Sequence, residues 1–515
     1  MTDLILTNAN VVTLDQRCSN ARTVAVRGGK IAAAGSDSDL HKLKQPMTRI
    51  IDCRGKTILP GFIDAHLHIA AAAESLAAPL LGSRHSARSI SDIQAIVRTQ
   101  AETLPEGAWR NLGGYHEFYL EEKRHPHRRD LDKAAPNHPV LLTHQTGHAH
   151  VLNSLALERV GLSKKSPDPP GGLIDRDYRD GEPTGLLFEM KAYLAKQMPP
   201  LKDREITPGI KRLNTELVSL GITSIQDVSP HDDVNKIKKL LRWSESGLLK
   251  PRMNLMLGAG ALGASPDETL AALNKKNHPF LKGVKIILDE TTGDLYPSQT
   301  ELNQKVLKAH RAGLQVAIHA VEARAVEAAC SAIAFALQKL PKPDHRHRIE
   351  HCSVCPPALS GRIASLGIQV VTQPAFIFYR GDRYLSTVPE GQRKHLYPIG
   401  TWFKKGVCVA GSSDFPFSPL NPIAGIFSAV SRMTEAGKQV LPEEKISPLE
   451  ALRLYTQHAA RMTFDEDKRG VIAPGKQADL IVLDKDPTQQ PIHSLLDLKV
   501  EMTIIGGEIV WKKSF

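Results

Sequence analysis

Eight short apolar segments, most of them followed by a stretch of helical periodicity, constrain this chain more than anything else in it. They lie at residues 57–64, 222–227, 254–257, 284–288, 314–319, 348–351, 368–373 and 407–413, with clear helical spacing over 304–312 and 324–337. Strands that alternate with helices imply a parallel sheet, and eight such units are the number that closes a sheet on itself. The expected fold class is α/β, a (β/α)8 TIM barrel. One connection is out of scale. Residues 70–205 separate the first segment from the second, far more than a βα loop needs, which predicts an inserted α/β subdomain capping the barrel, with 167–172 as an exposed loop within it.

Both ends of the chain read as short strands instead. At the front they fall at 4–6, 11–14, 23–26, 30–34 and 49–52, with Gly28-Gly29 as a hairpin turn and Gly55 as another. At the back they fall at 479–483, 500–505 and 509–511, with a turn at Gly506-Gly507. Two β-rich ends around a β/α middle predict one small β-sandwich assembled from both termini. The expected division is 1–57 for the first part of the sandwich, 58–465 for the barrel with its insertion, and 466–515 for the rest of the sandwich.

Composition excludes several classes. Charged residues are 23% and hydrophobic ones 41% of 515, a globular balance without wholesale disorder. The formal net charge of +11 favours an anionic substrate, but the basic residues are scattered in pairs such as Lys238-Lys239, as on solvated helix faces. No aromatic-plus-basic stripe accompanies them, so a nucleic-acid partner is not expected. Six cysteines without regular spacing argue against a disulfide framework. The start has no basic region followed by a long apolar run, and the small-residue stretch 69–81 is broken by Glu74 and Pro79. Neither a signal peptide nor a membrane span is expected, and the expected location is cytoplasmic.

Barrel enzymes place their chemistry at the carboxyl ends of the strands. His66 and His68 close the first segment, and residues two apart in an extended chain share a face, so both imidazoles point to one spot. Lys285 lies in the fourth segment, His319 ends the fifth, His351 ends the sixth and Asp414 follows the eighth. Converging on one mouth, these nitrogen and oxygen donors suit zinc or a similar divalent ion. Bland readings exist beside this one: a strand-end histidine held in the core, a lysine in a salt bridge, or Asp414 as an N-cap. Cys352 and Cys355 form a Cys-x-x-Cys without a second pair and read as ordinary buried thiols. His125 and His127 read as an exposed basic loop of the insertion.

The run Pro60-Gly61-Phe62-Ile63-Asp64-Ala65-His66-Leu67-His68 resembles the first-strand signature of the metal-dependent amidohydrolase superfamily. Gly147-His148, Pro183-Thr184-Gly185, Val284-Lys285-Ile286, Arg348-Ile349-Glu350-His351, Gly411-Ser412-Ser413-Asp414 and Gly475-Lys476-Gln477-Ala478-Asp479 narrow the resemblance to its "amidohydrolase 3" branch, over nearly the whole chain. That resemblance implies His66, His68, His319 and His351 as metal ligands and Asp414 as the carboxylate of the eighth strand. It implies Lys285 as a ligand once carboxylated by carbon dioxide, because the carbamate turns a cation into a pair of anionic oxygens. It also implies one or two divalent ions, zinc first among them, and allows a homodimer.

The activity it implies is hydrolysis of a non-peptide C–N bond, foremost a linear N-acyl or N-formyl amide, with Asp414 as general base and His351 as a second catalytic residue. His148, Gln373, Tyr379 and Arg380 are the candidate substrate-binding residues. A deaminase or cyclic-amide hydrolase is the alternative within enzymes; a non-catalytic binding or regulatory protein is the alternative outside them. This chain departs from the branch at Ala323, where an aspartate is common and Glu322 stands beside the loss, at Thr146, where an acid is common, and at Phe376, where a histidine is frequent.

Overall fold

A computed structural model describes residues 2–17, 21–36, 42–77, 87–199, 202–263, 268, 271, 281–290 and 293–513. Its centre is an eight-stranded parallel sheet in sequential order: Phe62–Leu67, Ile222–Asp227, Arg252–Gly258, Leu281–Ile287, Gln315–Ala320, Arg348–His351, Gln369–Thr372 and Val409–Gly411. The ends of the sheet meet where the Asp414 amide donates to the His66 carbonyl at 2.9 Å and the Ser413 amide donates to the Asp64 carboxylate at 3.1 Å. Period two decides what each strand shows to either side. Leu255 and Leu257, Val284 and Ile286, and Val316 and Ile318 join the apolar layer shared with the surrounding helices. The residues between them face inward, and Met256 and Ala317 meet Val228 there.

The first expected strand is divided between two sheets. Thr57–Pro60 pairs antiparallel with Leu480–Leu483, and the barrel strand begins only at Phe62. Gly61 makes the transfer feasible, since a Cβ there would lie 2.2 Å from the Thr223 hydroxyl. An apolar run carries no mark of such a change of partner, so the sequence reads it as one strand.

Two further sheets form the terminal sandwich. One has four strands, all from the front of the chain; the other sets Asn10–Val11 and Thr57–Pro60 beside Leu480–Leu483, Val500–Ile505 and Glu508–Lys512. Leu6, Val24, Ile58, Leu480 and Ile504 share the core between them. Gly28 and Gly29 both have positive φ, 55° and 72°, in the two-residue hairpin that the sequence predicts.

The insertion has its own sheet of five strands: Leu173–Arg176, Pro183–Phe188, Ala149–Leu152, Val140–His144 and Arg110–Tyr115, in that spatial order. The last two are parallel, with Tyr115 opposite His144. Two apolar clusters of its own hold the sheet. Gly147 and the loop after the eighth barrel strand are in close contact, because a Cβ on Gly147 would strike the Phe417 ring at 2.3 Å. The insertion therefore sits over the mouth of the barrel. Among the described residues, no helix is long and apolar enough to cross a membrane.

Candidate metal centre and active site

His66 lies inside the first barrel strand and His68 just past it, and their Nε2 atoms approach one oxygen. Asp414 Oδ1 is 3.4 Å from His66 and 3.2 Å from His68. The rings of His351 and His66 are 5.0 Å apart, and those of His319 and His351 are 4.4 Å apart. Four histidines from three strands and the carboxylate after the eighth thus gather at one place. His351 and Asp414 hold left-handed backbone, φ 70° and 59°, which side chains rarely adopt without a surrounding structure that enforces it.

The Nδ1 atoms are held from behind. His66 Nδ1 donates to Glu350 Oε2, His68 Nδ1 bonds Ser229 Oγ at 3.1 Å, and His351 Nδ1 donates to Gln373 Oε1 at 2.8 Å. Each bond leaves the Nε2 lone pair for a metal, the arrangement by which ligating imidazoles are oriented. Glu350 is itself paired at 2.5 Å with Arg348 Nε, and both side chains are fully buried. Arg348 also donates to Gln226 Oε1 at 2.6 Å and to the Ala65 carbonyl at 3.2 Å. Asp64 accepts from the His66 amide as well as from that of Ser413, although burial pushes its carboxyl up to about 6.

Electrostatics favour neutral rings around one anion. Burial holds His66 and His319 well below the usual histidine range, and it brings His351 down to about 4. Burial also opposes charge on Asp414, but the His68 hydrogen bond and the attraction of His351, His66 and His68 together outweigh it and keep that carboxyl well below the carboxylate range. Lys285 is buried, and its Nζ has no hydrogen-bond partner. Burial brings its pKa down to about 8 against the pull of Glu350 and Asp414. An ammonium left alone inside a protein is costly, so this amine loses its proton more readily than a lysine in water.

These residues fit a divalent ion. The donor atoms of His66, His68 and Asp414 all lie within 4.8 Å of one another, burial disfavours charge on the His66 ring, and an orphaned buried amine borders them.

Of the expected substrate-binding residues, His148 comes from the insertion, with its ring 5.8 Å from that of His319. Burial opposes its charge, but Glu189 at 2.6 Å and Asp289 at 3.7 Å outweigh that and raise its pKa. Gln373 is buried and fully engaged, its Nε2 donating to Ser412 Oγ at 3.0 Å. Arg380 lies 3.9 Å above the Phe376 ring and donates to the Phe417 carbonyl at 2.5 Å. Tyr379 is on the same helix, Ala375–Thr387, with its ring 5.1 Å from Phe378.

Sequence reasoning passed over Glu350 and Arg348 as carriers of a motif. Their signal was available: two opposite charges two residues apart share one face of a strand, and in the centre of a parallel sheet they are tolerated only as a pair. The Cys352 and Cys355 thiols are free and buried, as expected. His125 differs from the exposed loop expected of it. It is half-buried, and its Nδ1 bonds the Tyr115 hydroxyl at 3.0 Å.

Comparison with known proteins agrees with this geometry. The amidohydrolase family model described as "Amidohydrolase family" matches residues 49–511. The N-substituted formamide deformylase of Arthrobacter pascens is 29% identical over 100% of this chain and 99% of that protein. The Bacillus subtilis (strain 168) protein YtcJ, which carries an amidohydrolase name, is 31% identical over 98% of each. An uncharacterized metal-dependent hydrolase of Pyrococcus horikoshii has the same fold, with a TM-score of 0.73, 22% identity, and coverage of 95% of this chain and 99% of its own.

Proposed function

The chain belongs to the amidohydrolase family, a family of hydrolases that act on C–N bonds, and on that premise we propose that it cleaves a linear N-acyl or N-formyl amide at the mouth of its barrel. The observation that carries the reading is the approach of His66 and His68 to the one oxygen of Asp414. The choice of a linear amide rests on the end-to-end similarity to a formamide deformylase.

With Lys285 unmodified, His66, His68, His319 and Asp414 would hold one divalent ion, zinc by the donor set; with Lys285 carboxylated, His66, His68, Lys285, His319, His351 and Asp414 together would hold two. When bound, such ions supply Lewis acidity toward water and a substrate carbonyl. The protein's own part is in positioning and proton transfer. Asp414 Oδ1 faces the histidines, which leaves Oδ2 to accept the proton of the attacking water. The same oxygen then returns that proton to the departing nitrogen, which is too basic to leave as an anion. With Gln373 accepting from Nδ1, neutral His351 offers a lone pair at Nε2, which suits a ligand better than a donor to an oxyanion. Glu350 keeps His66 in the ligating tautomer. His148, made basic by Glu189 and Asp289, can meet an acidic or carbonyl oxygen of the substrate from above, and Arg380 extends that positive rim.

The test is hydrolysis, read by mass spectrometry of the products, of four sets of compounds: N-formyl amines, N-acyl amino acids, cyclic imides and aminated heterocycles. The protein is prepared with zinc and bicarbonate. Turnover of the first two sets, lost in Asp414→Ala, is the expected result. Turnover confined to heterocycles or imides would replace this reading with a deaminase or cyclic-amide hydrolase. Turnover of none would favour a binding protein.

A further inference from the structure

The insertion repeats the barrel's device on a smaller scale. Its two parallel strands, Arg110–Tyr115 and Val140–His144, end side by side, and each delivers a histidine at its carboxyl end. The rings of His116 and His144 are 4.4 Å apart. Glu117, the next residue, turns one oxygen into the gap: Oε2 is 3.2 Å from His116 Nδ1, 2.9 Å from His144 Nε2 and 3.8 Å from His125 Nε2. From these contacts we propose that His116, Glu117 and His144, whose donor atoms lie within 4.8 Å of one another, form a second divalent-metal site of the nitrogen-rich kind that takes zinc, with His125 beside it.

Distances agree with that use. Zinc bonds of about 2.1 Å in a tetrahedron set neighbouring donors about 3.4 Å apart, and the three spacings around Glu117 bracket this value. Buried His144 Nε2 and Glu117 Oε2 have no hydrogen-bond partner, although only 2.9 Å separates them. A plain histidine–carboxylate bond would satisfy both atoms; a shared cation does so without the angle such a bond demands.

The far sides of two rings are also prepared. His144 Nδ1 lies 2.7 Å from the Thr146 hydroxyl, and His125 Nδ1 lies 3.0 Å from that of Tyr115. Donation from Nδ1 to those oxygens leaves both Nε2 lone pairs toward Glu117, as metal ligation requires. The Thr146 amide, 3.2 Å from His144 Nδ1, and the Phe118 amide, 3.2 Å from His116 Nδ1, are the two bonds that ligation would displace. The competing cations are Arg383, which acts on both His116 and His144 and stacks 4.9 Å from Tyr384, and Arg380, which acts on His116, both from the helix Ala375–Thr387.

The experiment uses the full-length chain, stripped with a chelator and titrated with Co(II) and then Zn(II), in a His66→Ala/His68→Ala background that disables the barrel centre. One equivalent of Co(II) per chain is expected to remain, with the intense visible absorption of a four-coordinate site, displaceable by Zn(II). Adding Glu117→Gln and His144→Gln should reduce it to background. No ion in the barrel-disabled chain, or one that survives both changes, would overturn the proposal. If the barrel-disabled chain does not fold, Glu117→Gln in the native chain decides: total metal falls by one equivalent, or, if it is unchanged, the site is not there. Because the barrel ion is counted separately, failure here leaves the hydrolase reading intact.

Discussion

The barrel mouth and the insertion both set histidines at the ends of adjacent parallel strands, yet they support them very differently. In the barrel, the imidazoles lean on Glu350, Ser229 and Gln373, and behind Glu350 stands Arg348, bonded in turn to Gln226 and a strand carbonyl. In the insertion, two hydroxyls and one short turn do the same work, and the Glu117 side chain is 30% exposed. A ligand braced by buried charge keeps one geometry. A ligand braced by hydroxyls, beside a partly exposed carboxylate, can follow its ion. The barrel centre is built for chemistry, and the insertion site, on this account, for binding and for ordering the cap.

The widest separation between the two regions should come from Asp414→Ala. General acid–base groups contribute about 100- to 10,000-fold, so turnover should fall by that order while the ion of the insertion stays in place. A variant that keeps near-native turnover would remove Asp414 from the reaction. Next is Glu350→Gln, which leaves Arg348 buried without its counter-charge. Breaking such a pair costs about 3–5 kcal/mol, to be read as a fall in unfolding free energy by denaturant titration. A change within experimental error would mean that the charged support is dispensable. Gln373→Ala should weaken metal binding at the barrel by about 10- to 100-fold, as loss of a residue behind a ligand does, with KM little changed. A rise in KM alone would make Gln373 a substrate contact. Thr146→Val should act on the insertion only, lowering its cobalt affinity by a smaller factor. An equal loss at the barrel would erase the distinction between the regions.

Protonation offers the mildest probe. His351 titrates at about 4 in the fold, against about 6.5 in an unfolded chain. Between those values the unfolded chain binds the proton first, so stability rises with pH from about 4 to 6.5 and is lost as acid is added over that range. Thermal melting of the metal-stripped protein across this window should follow that direction, with a shallower slope in His351→Gln.

Much of this was legible in the sequence, because it depends on spacing. Eight apolar segments announce the barrel, two β-rich ends announce the sandwich, and His66 with His68 share a face whatever else surrounds them. What the sequence concealed depends on partners far away in the chain. The transfer of 57–64 between two sheets turns on a glycine fitting under Thr223, and the role of Glu350 on a histidine 284 positions earlier. His125 looked like part of a basic loop because Lys123, Arg124, Arg128 and Arg129 surround it. Its inward turn toward Tyr115 and Glu117 appears only when the strand ends are brought together.

The most direct test of the central claim is the difference in bound metal per chain, by plasma mass spectrometry, between the native protein and His66→Ala/His68→Ala, both prepared with zinc and bicarbonate. The native protein should hold at least one ion more than the variant, two if Lys285 is carboxylated. Equal metal in the two proteins would contradict it, and with it the assignment of the barrel mouth as the hydrolytic centre.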